Sequence, residues 1–169
     1  MDGYFDDQLQ FAEALPDHIR RELRVRLYPL DRDWDQRGRW QAWSDDVLFD
    51  SCKKSLTDSL RASRIFIGTY NATTYLETFA VNMPSILFWN PEHWEVTDDT
   101  GKYFERLKNV GVLHTSPKSA AAHLSQIWDN VDEWWFSNEV QDIINSFNSC
   151  YSMRNPKLTT SMATHLKFY

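Results

Sequence analysis

The sequence predicts an α/β fold, in which helices cover both faces of a mostly parallel sheet. Two observations lead to this prediction. Short apolar runs alternate along the chain with segments of helical period, and parallel strands need helical crossovers of this kind. The runs IFIG and SILFW are apolar at almost every position, which is typical of strands buried on both faces of a parallel sheet.

Each element is predicted from its own pattern of apolar residues. Leu23, Val25 and Leu27 alternate with polar residues, which predicts a strand. Apolar residues three or four positions apart predict the helices, the longest with a stripe that begins at Phe136. The predicted strands cover 23–29, 47–50, 64–68, 85–89 and 111–114; the predicted helices cover 4–22, 52–62, 74–82, 101–109, 117–128 and 131–151; polar loops are predicted at 30–44 and 90–100.

Residues 1–151 are expected to form a single domain, followed by a tail at 152–169. A chain of 169 residues is of ordinary size for one domain. The first predicted helix precedes any strand, a pattern expected of an α/β domain that is truncated at its N-terminus.

Composition excludes several classes of protein. The net charge is −6 and the basic residues are scattered, whereas nucleic-acid binding needs a broad positive surface. No apolar run reaches the length of a membrane-spanning helix, and the acidic N-terminus is not a signal peptide. The chain has 2 cysteines without metal or redox spacing, which favours a reducing compartment. A cytoplasmic protein is expected.

Polar residues follow the predicted strand 64–68, at the end of a parallel strand where ligands usually bind. Free N–H groups in the first turn of the next helix, together with the hydroxyls of Thr73 and Thr74, would hold a phosphate. Glu77 would then accept hydrogen bonds from a ribose diol. The alternative is that Thr74 and Glu77 form only a capping box at the start of the helix.

A second polar segment, Asn90 to Glu95, follows the strand at 85–89 on the same side of the sheet. His93 is a candidate proton donor or diphosphate contact, and Trp89 or Trp94 would stack on a base or a sugar. The alternative is an exposed loop above packed tryptophans. His114 ends another strand and is expected to face the same cleft; His18, His123 and His165 are predicted to be surface residues.

The acidic cluster of Asp31, Asp33 and Asp35 raises the question of a metal site. A calcium loop is excluded, because Gln36 stands where the loop needs glycine and Ala42 where it needs glutamate. Charge pairs with neighbouring arginines are the favoured interpretation. No metal and no cofactor are expected.

The chain resembles the C-terminal, nucleotide-sugar-binding part of a GT-B-like transferase family of bacterial surface-carbohydrate and O-antigen biosynthesis. The resemblance covers roughly residues 20–150, and the combination TYLE, NMP and FWNPEHWE is its most specific element. It rests on the segments RVRLYPLDRDWDQRGRW, IFIGTYNATTYLETFAVNMPSILFWNPEHWE, YFERLKNVGVLHTSPKSAAAHLSQIWD and VDEWWFSNEVQDIINSF.

The resemblance implies a Rossmann-like donor domain that binds a nucleotide-activated sugar in a cleft. The implied diphosphate contacts are Thr69, Asn71, Thr73 and Thr74, with Glu77 on the ribose and Arg26 as a further anion contact. It also implies that the acceptor site and the catalytic base belong to an N-terminal domain or partner subunit that this sequence lacks.

Two other functions stay open at this point. A nucleotide-sugar epimerase shares the fold and a similar Thr and Glu motif. A non-catalytic module would instead bind a nucleotide or a protein through an aromatic surface. Trp134 and Trp135 either contribute to such an exposed surface, next to the missing domain, or pack in the core.

Overall fold

The computed structural model describes residues 2–28, 34–50, 55–90 and 98–151. No helix within these ranges is long and apolar enough to cross a membrane. The described helices are α1 (Asp2–Ala14), α2 (Asp17–Arg20), α3 (Gln36–Trp43), α4 (Leu56–Arg61), α5 (Thr74–Ala80), α6 (Asp98–Asn109), α7 (Pro117–Ile127), α8 (Val131–Trp135) and α9 (Asn138–Tyr151). The described strands are β1 (Arg24–Val25), β2 (Leu48–Phe49), β3 (Phe66–Gly68), β4 (Ser85–Phe88) and β5 (Leu113–His114).

The strands pair in parallel, which confirms the predicted α/β fold. Strand β4 lies between β3 and β5, with Ile67 opposite Ile86 and Leu87 opposite Leu113. Strands β1 and β2 form a separate parallel pair. Strand β1 is paired over two residues only, far fewer than the strand predicted at 23–29.

Helices cover both faces of the three-stranded sheet, and β4 separates two apolar clusters. Ile86 and Phe88 pack with residues of α1, α2 and α7, whereas Leu87 and the adjacent Trp89 pack with residues of α5, α6, α8 and α9. All four residues of β4 have an exposed fraction of 0%. Burying each large apolar side chain contributes about 1.5–3 kcal/mol, so this strand anchors the domain.

Helix α3 lies in the segment that the sequence predicted as a loop. Asp35 adopts a left-handed conformation with φ 45°, and its side chain accepts a hydrogen bond from the N–H of Gly38 at 3.1 Å. This is an N-cap, which satisfies one of the free donors of the first turn. The acidic cluster therefore begins a helix at Asp35, while Asp31 and Asp33 lie outside the described residues.

The predicted helix at 131–151 is interrupted between α8 and α9. Phe136 terminates α8 and is 54% exposed. The prediction that the buried stripe begins at Phe136 is therefore wrong. Trp135 is fully buried, and its Nε1 donates to the backbone and side-chain oxygens of Asn82 at 3.1 and 3.0 Å. For Trp135, core packing is therefore the correct interpretation.

Candidate functional site

A large cavity is lined by residues of β1 and β3 and by the residues that follow both strands. Its volume is about 2000 Å³. Of the predicted binding residues, it is lined by Arg26, Thr69, Thr74, Trp89 and Asn90. Asn71, Thr73 and Glu77 lie nearby on the chain but do not line it, and the predicted proton donor His93 lies outside the described residues, as does Trp94.

Thr69 follows β3 and is contacted by helix α1. The hydroxyl of Tyr4 lies 2.8 Å from Oγ1 of Thr69, and Nε2 of Gln8 donates to the same atom at 3.0 Å. Burial raises the pKa of Tyr4 above its usual value. Because Gln8 donates to Oγ1, the Thr69 proton is available for donation to Tyr4 or to a ligand.

Helix α5 begins without the predicted capping box. The N-cap is Thr73, one residue earlier than predicted, and it makes no side-chain cap. Its carbonyl oxygen instead accepts from the N–H groups of Leu76 and Glu77 at 3.0 and 3.4 Å. In the described parts of the chain, the hydroxyls of Thr73 and Thr74 and the exposed carboxylate of Glu77 have no hydrogen-bond partner. These polar groups are therefore not used to cap the helix.

Two of the predicted ligand contacts are also part of the packing around Tyr75. The Tyr75 hydroxyl donates to Oδ1 of Asn71 at 3.1 Å, and burial raises the pKa of Tyr75 to about 12. Trp89 is only 5% exposed, and its ring packs on those of Tyr75 and Phe104 at centroid distances of 6.0 and 5.6 Å. Trp89 therefore supports the cavity floor from within the core.

Arg26 lines the same cavity from the position directly after β1. Its Nη1 donates to Oδ2 of Asp50 and to Oγ of Ser59, the latter at 3.1 Å. The Arg26 side chain is 31% exposed and that of Asp50 only 15%. The guanidinium is thus held in place by a half-buried ion pair, and Arg26 is one of the residues that line the cavity.

A pair of histidines lies elsewhere, where α7 packs against β5. His114 bonds through Nε2 to the carbonyl oxygen of Gly111 at 2.9 Å, and its ring lies 5.3 Å from that of His123. Burial lowers the pKa of His123 to about 4 and also lowers the pKa of His114. Neither residue lines the cavity, although His114 was predicted to face it. His123 was predicted to be a surface residue, but it is half-buried beside Trp134.

The sequence did not identify Tyr4 and Gln8 as parts of this site. They lie 65 and 61 positions before Thr69 along the chain, so no local pattern links them. Within the ranges that the structure describes, no three acidic, histidine or cysteine side chains group closely enough to hold a metal ion.

Comparisons with known proteins give one family. The model of the LIC12162 family transferases matches residues 1–166. No curated protein and no solved structure matches the chain. Because the family match extends over nearly the whole sequence, the chain belongs to the LIC12162 family of transferases.

Proposed function

We propose that this chain is the donor-binding half of a glycosyltransferase-like enzyme of bacterial surface-polysaccharide and O-antigen biosynthesis. Residues 1–151 would form a GT-B-type donor domain that acts in the cytoplasm. The observation that carries the proposal is the shared cavity: Arg26, Thr69, Thr74 and Asn90 come from distant parts of the sequence and line the same space. Membership of a transferase family supports the reaction class.

The diphosphate of the donor would bind between Arg26 and the start of α5. Thr69 and Thr74 would provide hydroxyl donors and Arg26 a charged donor, since all three line the cavity. Hydrogen bonds from charged donors to phosphate are about twice as strong as neutral ones. The N–H groups at the start of α5 would add donors and a partial positive charge.

Glu77 would bind the ribose of the nucleotide. It lies one turn into α5 with an exposed carboxylate that accepts no hydrogen bond within the described residues. Because Glu77 does not line the cavity, the ribose would extend beyond the cavity to reach it. A carboxylate has two oxygens, each able to accept from one hydroxyl of a diol. Asn90 would contact the sugar or the diphosphate from the end of β4.

In the proposed reaction the bond between the sugar and the diphosphate breaks as a new bond forms between the sugar and an acceptor hydroxyl. Negative charge develops on the departing nucleoside diphosphate, and Arg26 with the threonine hydroxyls would stabilise it. A base in the partner domain or subunit would take the acceptor proton. His93, outside the described residues, is the proposed proton donor of this chain.

Thermal unfolding of the purified chain in the presence of UDP, GDP, CDP and CMP tests the proposal. One of these compounds is expected to raise Tm with increasing concentration. At a concentration one hundred times its Kd, the free energy of unfolding should rise by about 2.7 kcal/mol. Thr74→Val keeps the shape of the side chain, removes the hydroxyl and should reduce the shift. Thr57→Val makes the same change at an exposed position of α4 outside the cavity and should leave the shift unchanged.

The absence of a shift with every nucleotide would contradict the donor site. Turnover of a nucleotide sugar separates the remaining interpretations. Transfer or hydrolysis by the isolated chain would contradict its assignment as half of an enzyme, and interconversion of sugar epimers would favour the epimerase.

A further inference from the structure

Strand β3 has the composition of a central strand but the exposure of an edge strand. Ile65, Phe66 and Ile67 are all half-buried, whereas the facing residues of β4 have an exposed fraction of 0%. Phe66 packs against one apolar cluster and Ile65 and Ile67 against the other, so both faces of β3 are covered. The edge of β3 that lies away from β4 has no neighbouring strand among the described residues.

The backbone of β3 is also unpaired on this side. The N–H of Phe66 donates to the carbonyl oxygen of Pro84 at 2.8 Å, so alternate residues of the ladder bond to the β4 side. The N–H and C=O groups of Ile65 and Ile67 consequently point the other way, and no residue of the described ranges bonds to them. Such a row of donors and acceptors is a template for another strand.

Strand β1 presents a second edge to the same space. The N–H of Asp50 donates to the carbonyl oxygen of Val25 at 2.9 Å, so Val25 faces β2. By the alternation of the ladder, the backbone groups of Arg24 point away from β2. Residues of both β1 and β3 line the cavity.

Two helical crossovers link the edges, since α3 connects β1 with β2 and α4 connects β2 with β3. Crossovers of this kind join parallel strands when the strands share a sheet, so in a completed sheet both edges would run in the same direction. One further strand between β1 and β3 would pair in parallel with both. The resulting order, β2, β1, added strand, β3, β4, β5, has the six strands of a complete doubly wound sheet.

The size of the cavity agrees with a polypeptide occupant. Pockets for small ligands typically measure about 300–1000 Å³, whereas this cavity measures about 2000 Å³. A nucleotide sugar at the carboxyl end would leave the trough between the strands open. Leu23, Val25, Leu27, Ile65 and Ile67 are among the residues that line the cavity, and they would contact the apolar side chains of an inserted strand.

We propose that the trough between β1 and β3 receives an extended apolar β-strand from another protein domain or chain, inserted in parallel to both edges. The strand would pair with the backbone of Ile65, Ile67 and Arg24 and complete a single sheet. Its carboxyl end would lie beside Thr69, where the strand order reverses and ligands bind in doubly wound sheets. The proposal rests on the two sheet edges and does not depend on nucleotide binding.

Amide hydrogen exchange of the 169-residue chain, followed residue by residue by NMR, tests this inference. In the chain alone, the amides of Ile65 and Ile67 are expected to exchange fast, while those of Phe66 and Leu87 exchange slowly. The probe is a short peptide of alternating valine and isoleucine, flanked by lysine pairs. At a peptide concentration of ten times its Kd, exchange at Ile65 and Ile67 should slow about tenfold. The same peptide with a central proline should give no protection.

Two variants separate backbone pairing from side-chain packing. Ile67→Pro removes an N–H that points into the trough, which an edge strand tolerates, and should abolish protection by the peptide. Ile67→Val keeps the N–H and should retain protection.

Four results would overturn the inference. The first is fast exchange at Ile65 and Ile67 that the peptide does not slow, and the second is equal protection by the proline peptide. The third is protection that rises with protein concentration in the absence of peptide, since a second copy would then fill the trough. The fourth is protection in the chain alone that disappears when residues 152–169 are removed, since the tail would then be the occupant.

Discussion

The hydroxyl of Tyr4 lies 2.8 Å from Oγ1 of Thr69 and joins the first helix to the residue that follows β3. Gln8, one turn further along α1, donates to the same oxygen atom at 3.0 Å. The rings of Tyr4 and Tyr70 meet edge to face at a centroid distance of 5.6 Å. Helix α1 therefore forms part of the wall of the candidate site, although the sequence pattern predicted only its buried stripe.

Tyr4→Phe tests this contact. The variant keeps the ring and loses the hydrogen bond to Thr69, so the free energy of unfolding is expected to fall by about 0.5–1.5 kcal/mol. Tyr70→Phe is the matched control, because in the described ranges the Tyr70 hydroxyl has no hydrogen-bond partner and its loss should change stability by less than about 0.5 kcal/mol. Urea unfolding of the three proteins measures the difference. Equal stabilities of the two variants would show that the Tyr4 bond contributes nothing.

The ion pair of Arg26 with Asp50 predicts opposite effects of two substitutions on nucleotide affinity. Arg26→Gln removes a charged donor from the proposed diphosphate site and should weaken binding about tenfold or more, since such bonds contribute about 1.5–3 kcal/mol. Asp50→Asn removes the carboxylate that competes with the ligand for Arg26, so affinity should stay equal or rise.

Isothermal titration with the nucleoside diphosphate that gives the largest thermal shift would measure both effects. Arg61→Gln is the control, since Arg61 is exposed on α4 and does not line the cavity. An equal loss of affinity in Arg26→Gln and Arg61→Gln would mean that net charge, and not a specific contact, attracts the ligand.

The fold was predictable from the sequence where burial on both faces leaves a clear pattern. The apolar run at 85–88 predicted β4 because its residues alternate between two apolar clusters. Helix α3 was not predicted, because its segment is polar and contains Gly38, and because its N-cap depends on a left-handed Asp35. The alternation around Val25 predicted a longer strand than the two paired residues of β1, which lacks a described neighbour on its other side.

The site was predictable to the extent that parallel strands bring their carboxyl ends together. This rule placed Thr69, Thr74 and Asn90 near each other, and all three line the cavity. The start of α5 at Thr74 was predicted correctly, but the N-cap was assigned to Thr74 instead of Thr73, since the two threonines are equally good N-caps in sequence terms. The contact of Tyr4 depends on how α1 packs against the sheet, which no local pattern encodes.

Trp135 and Phe136 are neighbours with opposite environments, which gives a further prediction. Trp135 is fully buried and donates to Asn82, whose left-handed φ of 54° is stabilised in this way. Trp135→Phe should lower the free energy of unfolding by about 2–4 kcal/mol. The smaller ring would leave a void in the core, and the oxygen atoms of Asn82 would lose the indole donor. Phe136→Ala, at a side chain that is 54% exposed, should cost less than about 1 kcal/mol. Thermal and urea unfolding test both, and a larger loss in Phe136→Ala would contradict the described break between α8 and α9.

The Nε2 atom of His123 makes no hydrogen bond within the described residues and is closely packed against Gly111. This nitrogen is buried. Gly111 adopts φ 75°, and a Cβ atom there would lie 2.5 Å from this nitrogen. Burial, followed by the neighbouring His114, lowers the pKa of His123 to about 4. Protonation of His123 would place a charged N–H donor at Nε2, where no acceptor lies within hydrogen-bonding distance in the described structure.

Stability is therefore expected to depend on pH through His123. The pKa is about 6.5 in the unfolded chain and about 4 in the folded protein, so the unfolded state binds the proton more tightly. The stability that depends on a neutral His123 is fully present above about pH 6.5, and it is lost as the pH falls through 6.5 towards 4. Urea unfolding across this interval should show a falling free energy of unfolding for the natural chain and a smaller fall for His123→Gln. His18→Gln makes the same change on an exposed residue of α2 and is the matched control for the substitution itself. If His123→Gln and the natural chain lose stability in parallel, the buried imidazole is not the group that titrates.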